Sequence, residues 1–338
     1  MRLLVLVVTS FSITSTWGFF TAWERRSTRP FGRVALQASN SDEINPMKPG
    51  STVALITPMT NTGDIDVPSL RKLLQLHVAE GTDNLCVLGT TGEASVMTMN
   101  EREKVLKVVV EEAKGKIPIL VGTGTIDPNN VKAMTQQAID LGCDANLVVC
   151  PYYVKPPQRA LISHMTTMAD MELPLVIYNI PGRTGIDLKD ENIAICAEHE
   201  NIIGLKDATG DLSRVTSMRK LLAGDDFLMY SGDDATSMEF VNLGGDGCIS
   251  VTANLAPGKL HEIMIAAKEG RTADAEAANK PLELLHDKLF VEANPMPAKW
   301  CAQRMGLIET AHARPPLCSL DPAYEPELIE ALQAAGLI

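Results

Sequence analysis

The chain has 338 residues, 45% of them hydrophobic but only 4% aromatic, and a formal net charge of −12. That length fits one large domain or two smaller ones, with a core of Val, Ile, Leu, Met and Ala that suits a parallel sheet wrapped in helices. Residues 1–40 hold five Arg and one Glu, which leaves 25 basic and 41 acidic groups in the remainder; so acidic a body excludes a nucleic-acid partner, which needs a basic face.

The chain opens with Met1-Arg2 and the apolar run LLVLVV, the pattern of a signal peptide. The run is too short and too broken to span a bilayer, so no stable membrane association is expected. After Gly18 and two Phe comes an Arg-rich, acid-poor stretch, TAWERRSTRPFGRVALQAS, which reads as a transit peptide. The two together resemble the bipartite leader of algae with secondary plastids and predict a plastid stromal address for residues 1–40. A plain secretory signal is the alternative. Against it stand the absence of N-x-[ST] sequons and the seven scattered cysteines (Cys86, Cys143, Cys150, Cys196, Cys248, Cys301, Cys318), odd in number and without a C-x-x-C pair. Such cysteines are expected to be buried thiols of a reducing compartment, with neither a disulfide framework nor a zinc site.

From residue 52 onward, short apolar runs alternate with helical patterns. The runs are TVALITPM (52–59), NLCVLGT (84–90), IPILVGTG (117–124), ANLVVCP (145–151), PLVIYNI (174–180), IIGLKDA (202–208), FLMYSGD (227–233) and GCISVTA (247–253). None alternates polar with apolar, as expected for strands buried on both faces. Amphipathic segments such as 67–79 and 100–113 lie between them, with Pro or Asp/Asn near several starts. Eight strand–helix units in about 220 residues predict a closed (β/α)₈ TIM barrel over 48–271. An open doubly wound sheet would call for a GxGxxG turn, and Gly122-Thr-Gly124 has no third glycine in place. Three more helical stretches, 272–290, 296–305 and 325–336, predict a small C-terminal helical extension over 272–338.

Barrel enzymes carry their chemistry at the C-terminal ends of the strands. In these runs the polar residues gather there: Thr57, Thr90 and Thr91, Tyr152 and Tyr153, Tyr178 and Asn179, Lys206 and Asp207, Ser231 and Asp233, Ser250. Lys206 follows IIGL directly, so its stem starts inside the barrel. Burial disfavours the ammonium and raises the share of free amine, which makes a nucleophile for a ketone. The bland alternative is a lysine paired with a carboxylate in the barrel mouth. Tyr178, ending the preceding run, could move protons or simply pack. Arg183, five residues on, offers a fork for a carboxylate, although loop arginines are usually solvated. Gly89-Thr90-Thr91-Gly92-Glu93 can turn backbone N–H groups toward a small anion, or be an ordinary turn. His261-Glu262 is not a zinc motif, since Ile265 stands where a second His is needed.

GTTGE, PYY, YNIPGRTG, GLKDATG, SGDD, GCISVTAN and LHDKLFVEANPMPAKW, in this order, closely resemble the dihydrodipicolinate synthase family from about residue 50 to the C-terminus. GTTGE or YNIP alone would indicate only the wider pyruvate-aldolase superfamily. The resemblance implies an imine between Lys206 and pyruvate, whose enamine attacks L-aspartate-4-semialdehyde, in the first committed step of the diaminopimelate route to lysine. It implies that Thr91 and adjacent amides hold the pyruvate carboxylate, with Ile249 on the methyl side and Gly232 of SGDD in the same subsite. Tyr178 would donate and accept protons, relayed through Thr90 to Tyr153, which crosses into a neighbouring subunit's site. Arg183 would take the semialdehyde carboxylate. No metal or organic cofactor is implied, and the assembly would be a homotetramer of two dimers. Arg183 argues against a sugar lyase such as N-acetylneuraminate lyase, and the full residue set argues against a catalytically silent binding subunit. Many family members are inhibited by lysine at the tight-dimer interface beside the Tyr152 position. There Ile126 and Asn130 stand for an Asn and a Glu, Met99 for a His or Trp, and Arg102 for a His, so lysine is expected to inhibit weakly or not at all. Asp127 could partly compensate if turned inward.

Overall fold

Eight parallel strands pair in sequence order and close on themselves: β1 Gly50–Ala54, β2 Asn84–Val87, β3 Ile119–Gly122, β4 Ala145–Val149, β5 Leu175–Asn179, β6 Ile202–Asp207, β7 Leu228–Ser231 and β8 Gly247–Ser250, with β8 returning to β1. The computed structural model describes residues 45–222 and 226–338, so the leader assigned to residues 1–40 lies outside the described residues. Each strand falls within or beside its apolar run, and all but two strand residues are buried, as strands covered on both faces require. The runs overshoot the strands mainly at their C-terminal ends: TVALITPM continues to residue 59, while β1 ends at Ala54. After β1 the overshoot, residues 55–59, is buried too.

The helices are α1 Val67–Ala79, α2 Met99–Ala113, α3 Pro128–Asp140, α4 Gln158–Ala169, the single turn α5 Pro181–Thr184, α6 Asp190–Ala197, α7 Ser213–Leu221, α8 Ser237–Asn242 and α9 Pro257–Lys268, followed by α10 Thr272–Asn279, α11 Glu283–Lys288, α12 Met296–Arg304 and α13 Glu325–Ala334. Several begin on side-chain caps. Asp66 accepts the Ser69 N–H, Asp127 the Asn129 N–H, and Thr98 and Glu101 form a reciprocal capping box on α2. The stretch 272–290 is broken into α10, a 3₁₀ turn at Lys280–Leu282 and α11, because Pro281 has no N–H to continue the helix. The C-terminal helices pack on one another and back onto the barrel, α10 against α9 and α12 against the turn Thr252–Asn254 after β8. Among the described residues no helix is long and apolar enough to cross a membrane.

Candidate active site

Strand alternation decides what Lys206 can meet. Successive side chains on β6 point to opposite faces, so Lys206 and Asp207 separate. Asp207 turns outward and meets Arg214 of α7, at 3.1 Å from its Nε, and accepts the Thr209 N–H at 2.8 Å. Lys206 turns inward, 7% exposed, and forms no ion pair among the described residues. Its Nζ lies 4.4 Å from the centre of the Tyr178 ring, whose strand register places it directly beside Lys206. The carboxylate-paired alternative for this lysine is therefore not what the fold builds.

Lys206 and Tyr178 line a pocket of about 60 Å³ with Thr90, Thr91, Arg183, Gly232 and the wall residues Ala54, Cys86 and Val251. At roughly 10–15 Å³ per water centre, that admits a molecule of a few heavy atoms. Gly232 is fixed by contact: a methyl group there would stand 3.0 Å from Lys206 Cε and 2.7 Å from the Ala208 methyl. The Gly232 N–H donates to the Asp207 carbonyl at 2.6 Å, which holds this close approach. Burial pushes the Cys86 thiol up to about 11, so it stays protonated at neutral pH and does not compete as a nucleophile. Ile249 is 1% exposed within β8 and is not part of the pocket lining, where Val251 stands instead.

The GTTGE segment is a shaped loop. Leu88 (φ 54°) and Glu93 (φ 56°) bracket it, both left-handed conformations that cost an L-residue roughly 1–3 kcal/mol. The Gly92 and Glu93 N–H groups close the turn onto Gly89 and Thr90 carbonyls. The N–H groups of Thr90 and Thr91 have no partner among the described residues, and both residues line the pocket that Lys206 lines. Three supports hold the loop. Thr57 Oγ1 donates to the Gly92 carbonyl at 2.8 Å, and Asn294 Nδ2 donates to Thr91 Oγ1 at 2.8 Å. The third is an ion pair between Glu93 and Lys299 of α12, the side chains 1% and 0% exposed. Lys299 also donates to the His312 carbonyl at 2.7 Å, and Glu93 accepts the Arg314 N–H at 2.8 Å. Burial pushes the Lys299 ammonium down, and Glu93 opposes that shift. Asn294 and Lys299 were not singled out from the sequence; LHDKLFVEANPMPAKW carried them only as part of a long match.

Arg183 lies on α5, exposed and without an ion-pair partner among the described residues, and its loop is tied down nearby. Asn179 Nδ2 donates to Asp187 at 2.8 Å, and Arg214 gathers Asp187 at 2.9 Å and Asp190 at 2.8 Å. Thr90 is exposed, and no hydrogen bond joins it to Tyr178 or Tyr153 among the described residues. Tyr153 points away from its own chain: it is 86% exposed, with φ 68°, in a loop where Val154 is exposed too. The single chain thus brings together Lys206, Tyr178, Thr90, Thr91, Arg183 and Gly232, and leaves Tyr153 and Ile249 outside the pocket. A second, larger cavity of about 680 Å³ adjoins it, sharing Gly89, Thr90, Tyr178 and Arg183.

An amine without a counter-ion at a barrel strand end, beside a phenol and free backbone N–H groups, can add to the carbonyl of a small oxo acid, which is the chemistry of barrel aldolases that work through an imine. The comparisons narrow that class. The dihydrodipicolinate synthetase family profile matches residues 47–335, and the chain belongs to this family. It is 45% identical over 291 residues to the 4-hydroxy-tetrahydrodipicolinate synthase of Thioalkalivibrio sulfidiphilus, covering 85% of this chain and 98% of that one. The enzyme of the same name from Azoarcus sp. is 45% identical over 289 residues, with the same coverage. Among solved structures, the chloride-inhibited dihydrodipicolinate synthase of Acinetobacter baumannii complexed with pyruvate is 44% identical with a TM-score of 0.84, covering 86% of this chain and 99% of that one.

Proposed function

We propose that this protein is a 4-hydroxy-tetrahydrodipicolinate synthase, a lyase of lysine biosynthesis that condenses pyruvate with L-aspartate-4-semialdehyde through Lys206. The observation that carries the reading is the inward, unpaired Lys206 amine over the Tyr178 ring, in a pocket sized for a small acid. In this mechanism Nζ adds to the pyruvate ketone, and the carbinolamine loses water to give an imine. Loss of a methyl proton yields the enamine, whose carbon forms the new bond to the aldehyde. Hydrolysis then frees the lysine. Tyr178 carries protons between the amine and the carbinolamine oxygen. The unpaired Thr90 and Thr91 N–H groups receive the pyruvate carboxylate, with the Thr91 hydroxyl oriented by Asn294.

Arg183 receives the semialdehyde carboxylate. Arg183→Ala should leave imine trapping nearly intact while kcat/KM for the aldehyde falls by about ten- to a hundredfold, the worth of a charge-assisted fork of roughly 1.5–3 kcal/mol. An unchanged value across an aldehyde panel would remove Arg183 from the site.

We infer further that Tyr153 completes the site of a second copy, so that the active form is at least a dimer, and a tetramer of two dimers by family likeness. The support is its 86% exposure on a left-handed residue, a poor arrangement for a tyrosine that stays in water. Mixing Tyr153→Phe with Tyr178→Phe subunits should restore activity, because one intact site reassembles. No recovery after verified subunit exchange would mean that each chain works alone.

The plastid address of residues 1–40 is likewise a proposal, and secretion of a fluorescent fusion of those residues from an algal host would overturn it. Lysine inhibition should be weak or absent. Met99, Arg102, Asn130 and Tyr152 line the larger cavity, which Ile126 does not, and the Asp127 carboxylate is occupied in capping α3. Two lost charge-assisted bonds predict roughly hundredfold weaker binding or worse. Half-inhibition at sub-millimolar lysine would contradict this.

A further inference from the structure

The turn that carries Arg183 is stiff within itself and closed at its base. The Arg183 and Thr184 N–H groups both donate to the Ile180 carbonyl at 3.0 Å, and the Gly185 N–H donates to the Pro181 carbonyl at 2.9 Å. Thr184 Oγ1 adds a bond to the Ile186 carbonyl at 2.8 Å. The base closes on Asn179, the last residue of β5, whose Nδ2 donates to Asp187 at 2.8 Å and whose Oδ1 accepts the Leu188 N–H at 3.1 Å. A turn braced in this way moves as one body, so the place of Arg183 relative to Lys206 is settled at its base.

We propose that Arg214 is the positioning residue that holds this base against the Lys206 strand. It thereby sets the span between the amine and the Arg183 fork, and with it the chain length of the aldehyde the enzyme accepts. Arg214 lines neither cavity and is 8% exposed at the start of α7. Its Nε lies 3.1 Å from Asp207, the neighbour of Lys206 on β6. Its Nη1 lies 2.9 Å from Asp187 in the base, and its Nη2 lies 2.8 Å from Asp190 at the start of α6. Nη2 also donates to the Leu188 carbonyl at 3.0 Å. The strands pair here, and the Ala208 N–H donates to the Asn179 carbonyl at 2.9 Å. Beyond that backbone link, Arg214 is the side chain that touches both sides among the described residues. Without its charge, Asp187, Asp190 and Asp207 would repel one another and part the base from the strand, with Lys189 neutralising Asp187 alone. A lysine in its place keeps the charge but not the fork, and cannot hold all of these partners on fixed bearings.

On the condensation proposed above, the aldehyde carbon meets the enamine on Lys206 while its carboxylate rests on Arg183. The carbons between those two ends must match the span from amine to guanidinium. A misplacement of about 1 Å costs on the order of a hundredfold in rate. One methylene too many is rejected by roughly 10- to 200-fold in a fixed site. A floating Arg183 turn serves the fitting chain worse and tolerates the longer one better.

4-Oxobutanoate and 5-oxopentanoate both carry an aldehyde and a carboxylate and differ by one methylene. As inhibitors competing with L-aspartate-4-semialdehyde, the shorter should bind the wild-type protein at least about tenfold more tightly. In Arg214→Lys that preference should shrink to about threefold or less, and kcat/KM for L-aspartate-4-semialdehyde should fall by about ten- to a hundredfold. Pyruvate with borohydride should still label Lys206 in this variant, which a general loss of structure would abolish. Asp187→Asn frees one arm of the fork and leaves Arg214 in place. It should shift the preference the same way, which covers the case in which Arg214→Lys does not fold. No label on Lys206 in the wild-type protein would remove the condensation and this role with it. With the label present, a preference unchanged in both variants would overturn the role of Arg214 alone. Equal inhibition of the wild-type protein by the two aldehydes, or none by either up to about 10 mM, would do the same.

Discussion

Lys206→Ala leaves no residue that pyruvate and borohydride can label, and condensation falls by roughly 10⁴-fold or more, the scale on which removal of a covalent nucleophile acts. The wild-type protein should gain one reduced three-carbon adduct per chain, mapped to the peptide around Gly204-Leu205-Lys206. The expectation rests on contrast with other lysines near the site. Lys155 is exposed beyond Tyr153, where water keeps its ammonium solvated. Lys299 is buried but engaged by Glu93 and the His312 carbonyl, so its nitrogen is not free to reach a ketone. Lys206 alone of the three is inward, without a carboxylate, and beside the Tyr178 ring. An adduct on Lys155 or Lys299, or trapping that survives in Lys206→Ala, would end the assignment.

The second large effect is expected from a residue that touches no substrate. Lys299→Met should destabilise the protein by about 3–5 kcal/mol, because it strands the Glu93 carboxylate in the interior with one backbone N–H as its remaining polar partner. Activity should fall with stability, since Glu93 ends the loop that carries Thr90 and Thr91. The double variant Glu93→Gln, Lys299→Met removes both charges and should recover much of the loss, so the two changes are strongly non-additive. Denaturant unfolding of the two single variants and the double variant measures that coupling. A cost below about 1 kcal/mol for Lys299→Met, or a double variant no better than the single, would show that the pair does not hold the loop.

The barrel was legible because parallel strands covered on both faces leave unbroken apolar runs, and eight such runs in 220 residues have few other uses. Lys206 was legible for a related reason: a lysine that ends an apolar run has its stem committed to the interior. The direction of Asp207 followed only once the strand was in place, since alternation sends it out to Arg214. Asn294, Lys299 and Arg214 could not be read locally. Asn294 meets Thr91 across 203 positions and Lys299 meets Glu93 across 206, and nothing in either segment hints at its partner. GTTGE as an anion cradle was open in the sequence because its composition is that of any turn. Which N–H groups close the turn and which stay free is a property of the folded backbone.

The pairing of Glu93 with Lys299 also orders events in time. A ribosome adding about 5–20 residues per second makes Glu93 roughly 10–40 s before Lys299. During that interval the loop proposed to hold the oxo acid lacks its buried counter-ion, and Asn294 is not yet present to bond the Thr91 hydroxyl. Lys206 itself is synthesised while β7 and β8 are still missing, so the barrel cannot close around it. On the proposed function, the nascent chain therefore carries its amine before its carboxylate cradle is braced, and competence arrives only when the last fifth of the protein docks.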